Sequence, residues 1–338
     1  MNARVFISNS FDGRAGLGGI RAEKGADGRW TTEVIFPQQD VRCLSADPAG
    51  GDIVWAGTQG NGVLKSMDTG RTWFPAGLDD KVVKAMAVSP HDPNHVFAGV
   101  KPAGLFHSQD GGETWRELEG FRRIPWRWLW FSPAEPPFYQ AYVHAITISP
   151  SDPDLILVGM EYGAVVRSDD GGASWSGHRR GALRDCHGMT FHPRDGQWAY
   201  EAGAGRGPGA VSRDGGASWR QPREGAVNTY GWACAADPEQ PEVWYVSAST
   251  GPGDAHSWDH ARAHIYRWTG GAGWKLLGGG LPQPLSALPV SLVSDRQQAG
   301  HLYAGLSSGE VWFTEDHGDQ WQRLEVDLRG IWHQMVVL

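Results

Sequence analysis

The chain has 338 residues, with 30 Lys and Arg against 38 Asp and Glu, so its formal net charge is −8 at pH 7. This acidic balance argues against a nucleic-acid partner, because such domains carry basic patches. We expect a cytoplasmic protein that does not span a membrane, since the sequence has neither a signal-peptide pattern nor an apolar run of about 18 residues. The widely spaced Cys43, Cys186 and Cys234 are predicted to be reduced core residues.

A short motif recurs along the chain and ends each time in tryptophan. Clear copies are "SMDTGRTW", "SQDGGETW", "SDDGGASW", "SRDGGASW" and "TEDHGDQW", and "EKGADGRW" and "YRWTGGAGW" are degenerate copies. Counting both kinds, the closing residues are Trp30, Trp73, Trp115, Trp175, Trp219, Trp274 and Trp321. A period of about 40 to 50 residues is typical of propeller blades, so we predict seven repeat units.

Each unit also has an upstream half built on one plan. In "VRCLSADPAGGDIVWAGT" a short apolar segment ends in Asp-Pro, a polar turn follows, and a second apolar segment ends in Gly. A third segment such as "GVLKS" precedes the octapeptide, and a fourth follows the tryptophan. Short apolar segments between Gly, Pro and Asp turns predict one four-stranded antiparallel blade per unit.

The two ends of the chain match different parts of one unit. "RVFISNS" resembles a second strand, whereas "GIWHQMVVL" resembles a first strand. We therefore predict that residues 330–338 complete the blade of residues 3–36, which would leave no exposed sheet edge. The predicted fold is an all-β, closed seven-bladed β-propeller, with 1–338 as a single domain and a long top-face insertion at 116–142.

The Ser-x-Asp-x-Gly-x-Thr/Ser-Trp pattern resembles the Asp-box, or BNR repeat, of a β-propeller superfamily. That superfamily includes sialidases, the sortilin ectodomain, xyloglucan-active hydrolases and a photosystem II assembly factor. Asp110, Asp170 and Asp214 are expected to bind backbone N–H groups within their own hairpins, and Gly112, Gly172 and Gly216 to take positive φ. Because the copies are spread around the ring, we interpret them as fasteners rather than catalytic groups. The sequence "FRRIP" is similar to the Arg-Ile-Pro motif of sialidases, but it lies in a different place, and the sialidase arginine triad has no clear counterpart.

Candidate site residues lie where the repeats differ. Stepping back six residues from the Pro that ends each first strand gives Arg42, Lys84, His144, His187 and Trp232, and looser alignment adds Pro289 and Trp332. This mixture predicts the rim of a pocket for an anionic or polyhydroxyl ligand. A simply hydrated channel mouth is the alternative.

Neighbouring loops add further charged groups. Arg184 and Asp185 precede His187, and Glu161 and Glu201 lie in adjacent connections. We interpret Glu161, Asp185, His187 and His144 as candidate catalytic residues, and Arg184 and Glu201 as candidate ligand-binding residues. Salt bridges between adjacent loops are the alternative reading.

Two other segments carry separate hypotheses. In "WRWLWF", Trp128 and its neighbours alternate as in a strand or an extended lid, suited to stacking on sugars, anchoring a protein partner or covering an apolar patch. The spacing of His256, His260 and His264 would place three imidazoles on one helix face, which would suit a divalent metal ion. We nevertheless expect no cofactor.

Two functions remain open from the sequence. The first is a small-ligand or glycan-like binding site at the channel mouth, with hydrolase- or lyase-type chemistry. The second is a non-catalytic scaffold that captures a protein partner through the Trp-rich insertion.

Overall fold

The computed structural model describes residues 5–12, 16–132, 139–271 and 273–338. Strands and turns make up most of this part of the chain, as the Gly- and Pro-rich repeat predicts. The only helices in these ranges are the single turns α1 (Glu119–Arg122) and α2 (Pro252–Ala255) and a 3-10 turn at Arg127–Leu129. No helix among the described residues is long and apolar enough to cross a membrane.

The first half of the chain forms short antiparallel strands. They are β1 (Val5–Asp12), β2 (Gly16–Lys24), β3 (Trp30–Ile35), β4 (Val41–Ala46), β5 (Val54–Thr58), β6 (Val63–Ser66), β7 (Phe74–Pro75), β8 (Val82–Val88), β9 (Val96–Lys101), β10 (Gly104–Ser108), β11 (Arg116–Glu117), β12 (Val143–Ile148), β13 (Ile156–Met160) and β14 (Val165–Ser168).

The second half continues in the same way. Its strands are β15 (Asp185–Phe191), β16 (Ala199–Ala204), β17 (Gly209–Ser212), β18 (Tyr230–Ala236), β19 (Val243–Ser249), β20 (His264–Thr269), β21 (Lys275–Leu277), β22 (Pro289–Ser294), β23 (Leu302–Leu306), β24 (Glu310–Thr314), β25 (Gln322–Asp327) and β26 (Met335–Val337).

Four sheets have the four antiparallel strands that the repeat predicts. Three of them follow chain order, β4 to β7, β8 to β11 and β22 to β25. In the fourth sheet the last strand of the chain pairs with the first, in the order β26-β1-β2-β3. The predicted pairing of the C-terminal segment with the N-terminal unit is therefore present in the structure.

Two units differ from the predicted four strands. After β14 the Ser176 hydroxyl and the His178 ring accept the N–H groups of Arg167 and Val165, so side chains take part of the place of a fourth strand. After β17 only an isolated Val211–Arg220 bridge forms. Strands β15 to β21 also join into one seven-stranded sheet through the single pair Ala204–Tyr230.

The first strands of successive units contact one another, and we call β4, β8, β12, β15, β18 and β22 the inner strands. Each inner strand contacts the next, and β26 contacts both β22 and β4. Glycines in the second strands permit this approach, because a Cβ at Gly99 would collide with Val143 and one at Gly159 with Cys186. The core fills the space between sheets, with Trp55 and Trp244 among its fully buried side chains.

The five clear copies of the repeat form hydrogen-bonded turns, which we call the octapeptide turns (66–73, 108–115, 168–175, 212–219 and 314–321). In the first turn the Ser66 hydroxyl donates to Asp68 and accepts the N–H of Gly70. Asp68 then accepts the backbone N–H and the hydroxyl of Thr72. The same contacts recur in the other turns, although Gln320 supplies only its N–H.

These contacts agree with the expected role of the aspartates as fasteners. Hydrogen bonds from the side chain and the backbone of Thr114 lower the pKa of Asp110 to about 2. Gly112, Gly172 and Gly216 have φ of 92°, 91° and 81°, as predicted. The indole of Trp219 donates to the carbonyl of Gly216 at 3.1 Å, so the turn also holds the ring that closes the repeat.

Replacing Ser212 with Ala is expected to reduce the free energy of unfolding by about 1 to 3 kcal/mol, because the buried N–H of Gly216 would lose its acceptor. Urea denaturation measures the change. Ser66→Ala should give a similar loss, since its contacts in another sheet are the same. A loss below about 0.5 kcal/mol in both variants would show that the turns do not stabilise the fold.

Candidate functional site

A cavity of about 160 Å³ lies among the N-terminal halves of the inner strands. An apolar cavity of about 150 Å³ is enough for benzene, so this space suits a molecule with one six-membered ring. The cavity is lined by Arg42, Lys84, Tyr142, His144, His187, Gly188, Met189, Trp232, Ala233, Cys234, Val290, Ser291, Leu292, His333 and Gln334.

A β-bulge in each inner strand directs one residue, or two in β18, into this cavity. Pairing shifts between Val83 and Ala85, which leaves Lys84 outside the ladder. Corresponding shifts leave out Arg42, His144, His187, Trp232 with Ala233, and Val290. Because a bulge adds an unpaired residue and bends its strand, it can re-aim a side chain. The repeated bulge thus explains why residues at one repeat position meet in space.

The structure brings together five residues of the predicted ring and corrects two. Arg42, Lys84, His144, His187 and Trp232 all line the cavity. The other two positions came from looser alignment, and each is displaced by one residue. Val290 lines the cavity instead of Pro289, and His333 lines it instead of Trp332.

The two cations of the cavity are held by different neighbours. Arg42 pairs with Asp40 at 2.6 Å. The Lys84 ammonium lies 4.7 Å from the centre of the Tyr142 ring, and this side chain is largely buried. The negative face of the ring attracts this ammonium and helps to hold it at the cavity wall.

Behind the cavity wall lies a buried cluster of two carboxylates and two imidazoles, Glu161, Asp185, His144 and His187. Nε2 of His187 is 3.4 Å from Asp185 Oδ1 and 3.8 Å from Glu161 Oε2. Nδ1 of His144 is 3.3 Å from Glu161 Oε2. We call these four residues the carboxylate–imidazole cluster.

Two adjacent connections position this cluster. Glu161 follows β13, and its N–H donates to the carbonyl of Tyr142, just before His144 in β12. Asp185 opens β15, and the loop before it is tied down because the Gly163 N–H donates to the Arg184 carbonyl at 2.8 Å. The cluster is therefore fixed to the two neighbouring inner strands.

The two nitrogens of His187 face different groups. Nδ1 lies 2.7 Å from the Gly231 carbonyl, while Nε2 faces the two carboxylates. Burial lowers the pKa of this imidazole, but the nearby carboxylates of Asp185 and Glu161 outweigh burial, so the pKa is raised. Both nitrogens of this ring are thus directed at protein groups, whereas His144 presents Nδ1 to Glu161 and keeps Nε2 available to a cavity ligand.

The carboxylates are not placed like the acid pair of a glycoside hydrolase. Glu161 and Asp185 contact the imidazoles that line the cavity, and they do not belong to its lining. In the paired-carboxylate mechanism both groups must flank the bond that breaks. The arrangement favours imidazole acid–base chemistry, with the carboxylates positioning the rings.

Four predicted ligand-binding residues lie away from the cavity lining. Glu201 is fully buried, and one of its oxygens accepts the N–H of Leu183 at 3.0 Å. Arg184 is exposed, Trp128 is 74% exposed, and Trp332 packs against Trp258 with ring centroids 5.9 Å apart.

The Trp-rich insertion is not an extended lid where the structure describes it. Residues 127–129 form a 3-10 turn, and Trp126 has a φ of 63°. Residues 133–138 of the insertion lie outside the described part of the chain. Arg123, from the Arg-Ile-Pro match, is exposed at the end of α1 and does not line the cavity.

The alternative of a metal site at His256, His260 and His264 depends on a helix that the structure does not have. Helix α2 ends at Ala255, so the three residues do not share a helix face, and His264 lies in β20. His260 is exposed beside Asp259. In the described ranges the group of potential metal ligands that comes together is Glu161, Asp185 and His187.

Sequence reasoning missed Tyr142 and His333. Tyr142 lies two residues before His144, outside the repeat position used for alignment. His333 belongs to the last unit, where no Pro follows the first strand to fix the register. Burial, together with the charges of Lys84 and His144, holds the pKa of His333 well below its usual range, which favours the neutral imidazole.

The comparisons with solved structures show which fold this architecture shares. YCF48 bound to a D1 peptide matches with a TM-score of 0.57 and 16% identity, over 84% of this chain and 81% of that one. The GH74 xyloglucanase of Xanthomonas campestris matches with a TM-score of 0.69 and 19% identity, over 98% of this chain but 53% of its own length. U3-55K matches with a TM-score of 0.62 and 13% identity, over 93% of this chain and 86% of that one.

These similarities place the chain among β-propeller proteins. The predicted likeness to the superfamily of the photosystem II assembly factor and the GH74 enzymes is confirmed at the level of the fold. The chain spans only about half of the xyloglucanase it matches. Neither a protein-family model nor a curated protein matches the sequence.

Glu201 yields a prediction on stability and pH. Burial raises its pKa from 4.5 to about 8, although the Leu183 N–H opposes the change. Because the folded-state pKa is the higher one, the stabilising contribution is complete below about pH 4.5 and is lost as the pH rises through about 8.

Glu201→Gln keeps the shape but cannot ionise. From about pH 5 to about pH 9, its free energy of unfolding should therefore fall less than that of the unsubstituted protein. Urea unfolding at several pH values measures both slopes. Equal slopes would mean that Glu201 is ionised in the folded protein at neutral pH.

Proposed function

We propose that this protein binds a small anionic, sugar-sized ligand in the cavity between the inner strands. We propose that it carries out hydrolase- or lyase-type acid–base chemistry there. One observation carries the proposal. Arg42, Lys84 and His144 are bulged residues at equivalent repeat positions, and all three line one cavity. A purely structural position would be expected to repeat one residue type, whereas these residues differ. This set supplies fixed positive charge beside an imidazole.

His144 is the proposed catalytic residue. Its Nδ1 faces Glu161 at 3.3 Å, an arrangement in which the carboxylate holds the proton on Nδ1 and orients the ring. Nε2 then takes a proton from the ligand or from a bound water molecule, and Glu161 offsets the charge that forms on the imidazole. Arg42 and Lys84 stabilise negative charge on the ligand.

We propose in addition that the units form a closed ring of seven blades and that the octapeptide turns are Asp-boxes. The sequential contacts of the inner strands, together with the contacts of β26 with β22 and β4, support closure. The Ser–Asp–Gly hydrogen bonds common to the five turns support the second assignment. Closure would make the cavity one mouth of the central channel.

Glucuronate tests the ligand class, with glucose as its neutral counterpart. We expect isothermal titration calorimetry to show glucuronate binding at least about tenfold more tightly than glucose, because a carboxylate beside buried cations is worth about 1.5 to 3 kcal/mol. Binding of the two sugars with equal affinity would contradict an anion site.

Lys84→Met should weaken glucuronate binding at least about tenfold, since it removes the charge and keeps the apolar stem. Lys81→Met is the matched control, because Lys81 is exposed just before the same strand. If the two variants bound glucuronate equally well, Lys84 would have no part in recognition.

A second candidate function is capture of a protein partner. Trp126, Trp128, Leu129 and Phe131 are 69%, 74%, 59% and 55% exposed, which is unusual for large apolar side chains close together in sequence. YCF48, a structural neighbour, is known in complex with a peptide. Tryptophans of this kind often anchor protein interfaces.

Substitution separates this candidate from the first. Trp128→Ser should abolish retention of a specific partner in affinity purification with mass spectrometry. Phe74→Ser is the control and should not affect retention, because Phe74 is an exposed apolar residue in β7. Loss of partner retention without loss of glucuronate binding would favour the scaffold. If Trp128→Ser and Phe74→Ser retained the same proteins, the Trp-rich surface would not be an interface.

A further inference from the structure

We infer that Glu161, Asp185 and His187 form a binding site for a divalent transition-metal ion, Mn²⁺ or Zn²⁺, in the wall of the cavity. One oxygen or nitrogen atom from each residue lies within 4.8 Å of the other two. The inference goes beyond the proposed function, since it does not depend on which ligand the cavity takes.

The distances fit coordination better than direct hydrogen bonding. The Nε2–oxygen separations of 3.4 and 3.8 Å exceed the usual hydrogen-bond range of about 2.7 to 3.2 Å. Atoms bound to one metal at about 2.1 Å are about 3.0 Å apart in an octahedron and about 3.4 Å apart in a tetrahedron. The two separations from Nε2 are thus within about half an ångström of the tetrahedral value.

The ligand atoms of Asp185 and His187 make no hydrogen bonds to described residues. Asp185 is 5% exposed, and neither of its oxygens accepts a hydrogen bond from any described residue. Nε2 of His187, in an imidazole that is 6% exposed, likewise makes no hydrogen bond within the described ranges. Buried polar atoms without partners are costly, and a cation among them would remove the cost.

His187 has the orientation of a metal-binding imidazole. Its Nδ1 donates to the Gly231 carbonyl at 2.7 Å, which directs the lone pair of Nε2 toward Asp185 and Glu161. Metal-binding histidines almost always donate their other N–H to a carbonyl or a carboxylate in this way. His144, at 3.3 Å from Glu161, would be the corresponding outer partner of the ligating carboxylate.

The donor set favours Mn²⁺ or Zn²⁺. Carboxylates suit hard cations such as Mg²⁺, Ca²⁺ and Mn²⁺, whereas imidazole suits Zn²⁺ and its neighbours. Two carboxylates with one imidazole fit the ions that accept both donors. With three protein ligands, further coordination positions remain for water or for an oxygen of a cavity ligand.

The test is a titration of EDTA-treated, dialysed protein with Mn²⁺, in which electron paramagnetic resonance reports free Mn²⁺, and Zn²⁺ is then added as competitor. We expect one Mn²⁺ per chain, displaced by Zn²⁺. Asp185→Asn should weaken Mn²⁺ binding at least about tenfold. His260→Asn should leave it unchanged, since it alters an exposed histidine–carboxylate pair.

Circular dichroism verifies that the variants fold, and Glu161→Gln replaces Asp185→Asn if the latter does not. Absence of saturable binding of either ion, or equal Mn²⁺ affinity with and without the substitution, would overturn the inference. Glucuronate binding measured in EDTA separates the two proposals, because a cavity that binds glucuronate without taking up Mn²⁺ contradicts only the metal site.

Discussion

The hydrogen-bonded octapeptide turn is the interaction on which the whole architecture depends. A single serine hydroxyl such as Ser212 both donates to the aspartate and accepts a buried glycine N–H, and the aspartate then accepts the N–H and hydroxyl of Ser218. Each turn thereby satisfies its own polar groups, which would otherwise oppose burial. The tryptophan at the end of the turn can then pack between sheets. The same hydrogen-bond pattern recurs in all five octapeptide turns.

The octapeptide turns hold the connection between the third and fourth segments in five of the units, so the inner strands are free to differ in sequence. Each inner strand has a bulge near its N-terminal end, and the bulged residue is relieved of ladder pairing. Lysine, histidine or valine can stand there without disturbing the sheet. The repeated scaffold thus presents different side chains at the bulged positions, and these side chains line the cavity.

The carboxylate–imidazole cluster links the cavity to the buried interior. Two carboxylates placed side by side away from water need positive charge, which a protonated His187, favoured by its raised pKa, or a metal ion bound by the cluster would supply. In both cases the Glu161 carboxylate lies close to His187 and to His144. A change in the charge of the cluster would therefore reach His144, which lines the cavity.

The sequence by itself determined the repeat, the β class, the fastening role of the turns and five residues of the cavity ring, because these follow from local periodicity and from one proline per unit. Where that marker was missing, the alignment slipped by one residue, to Pro289 and Trp332. Only the tertiary structure decided that Glu161 and Asp185 face imidazoles, that Glu201 is buried and that Trp128 is exposed. Such contacts join residues from different strands and loops, and their geometry depends on bulges and packing that leave no periodic trace in the chain.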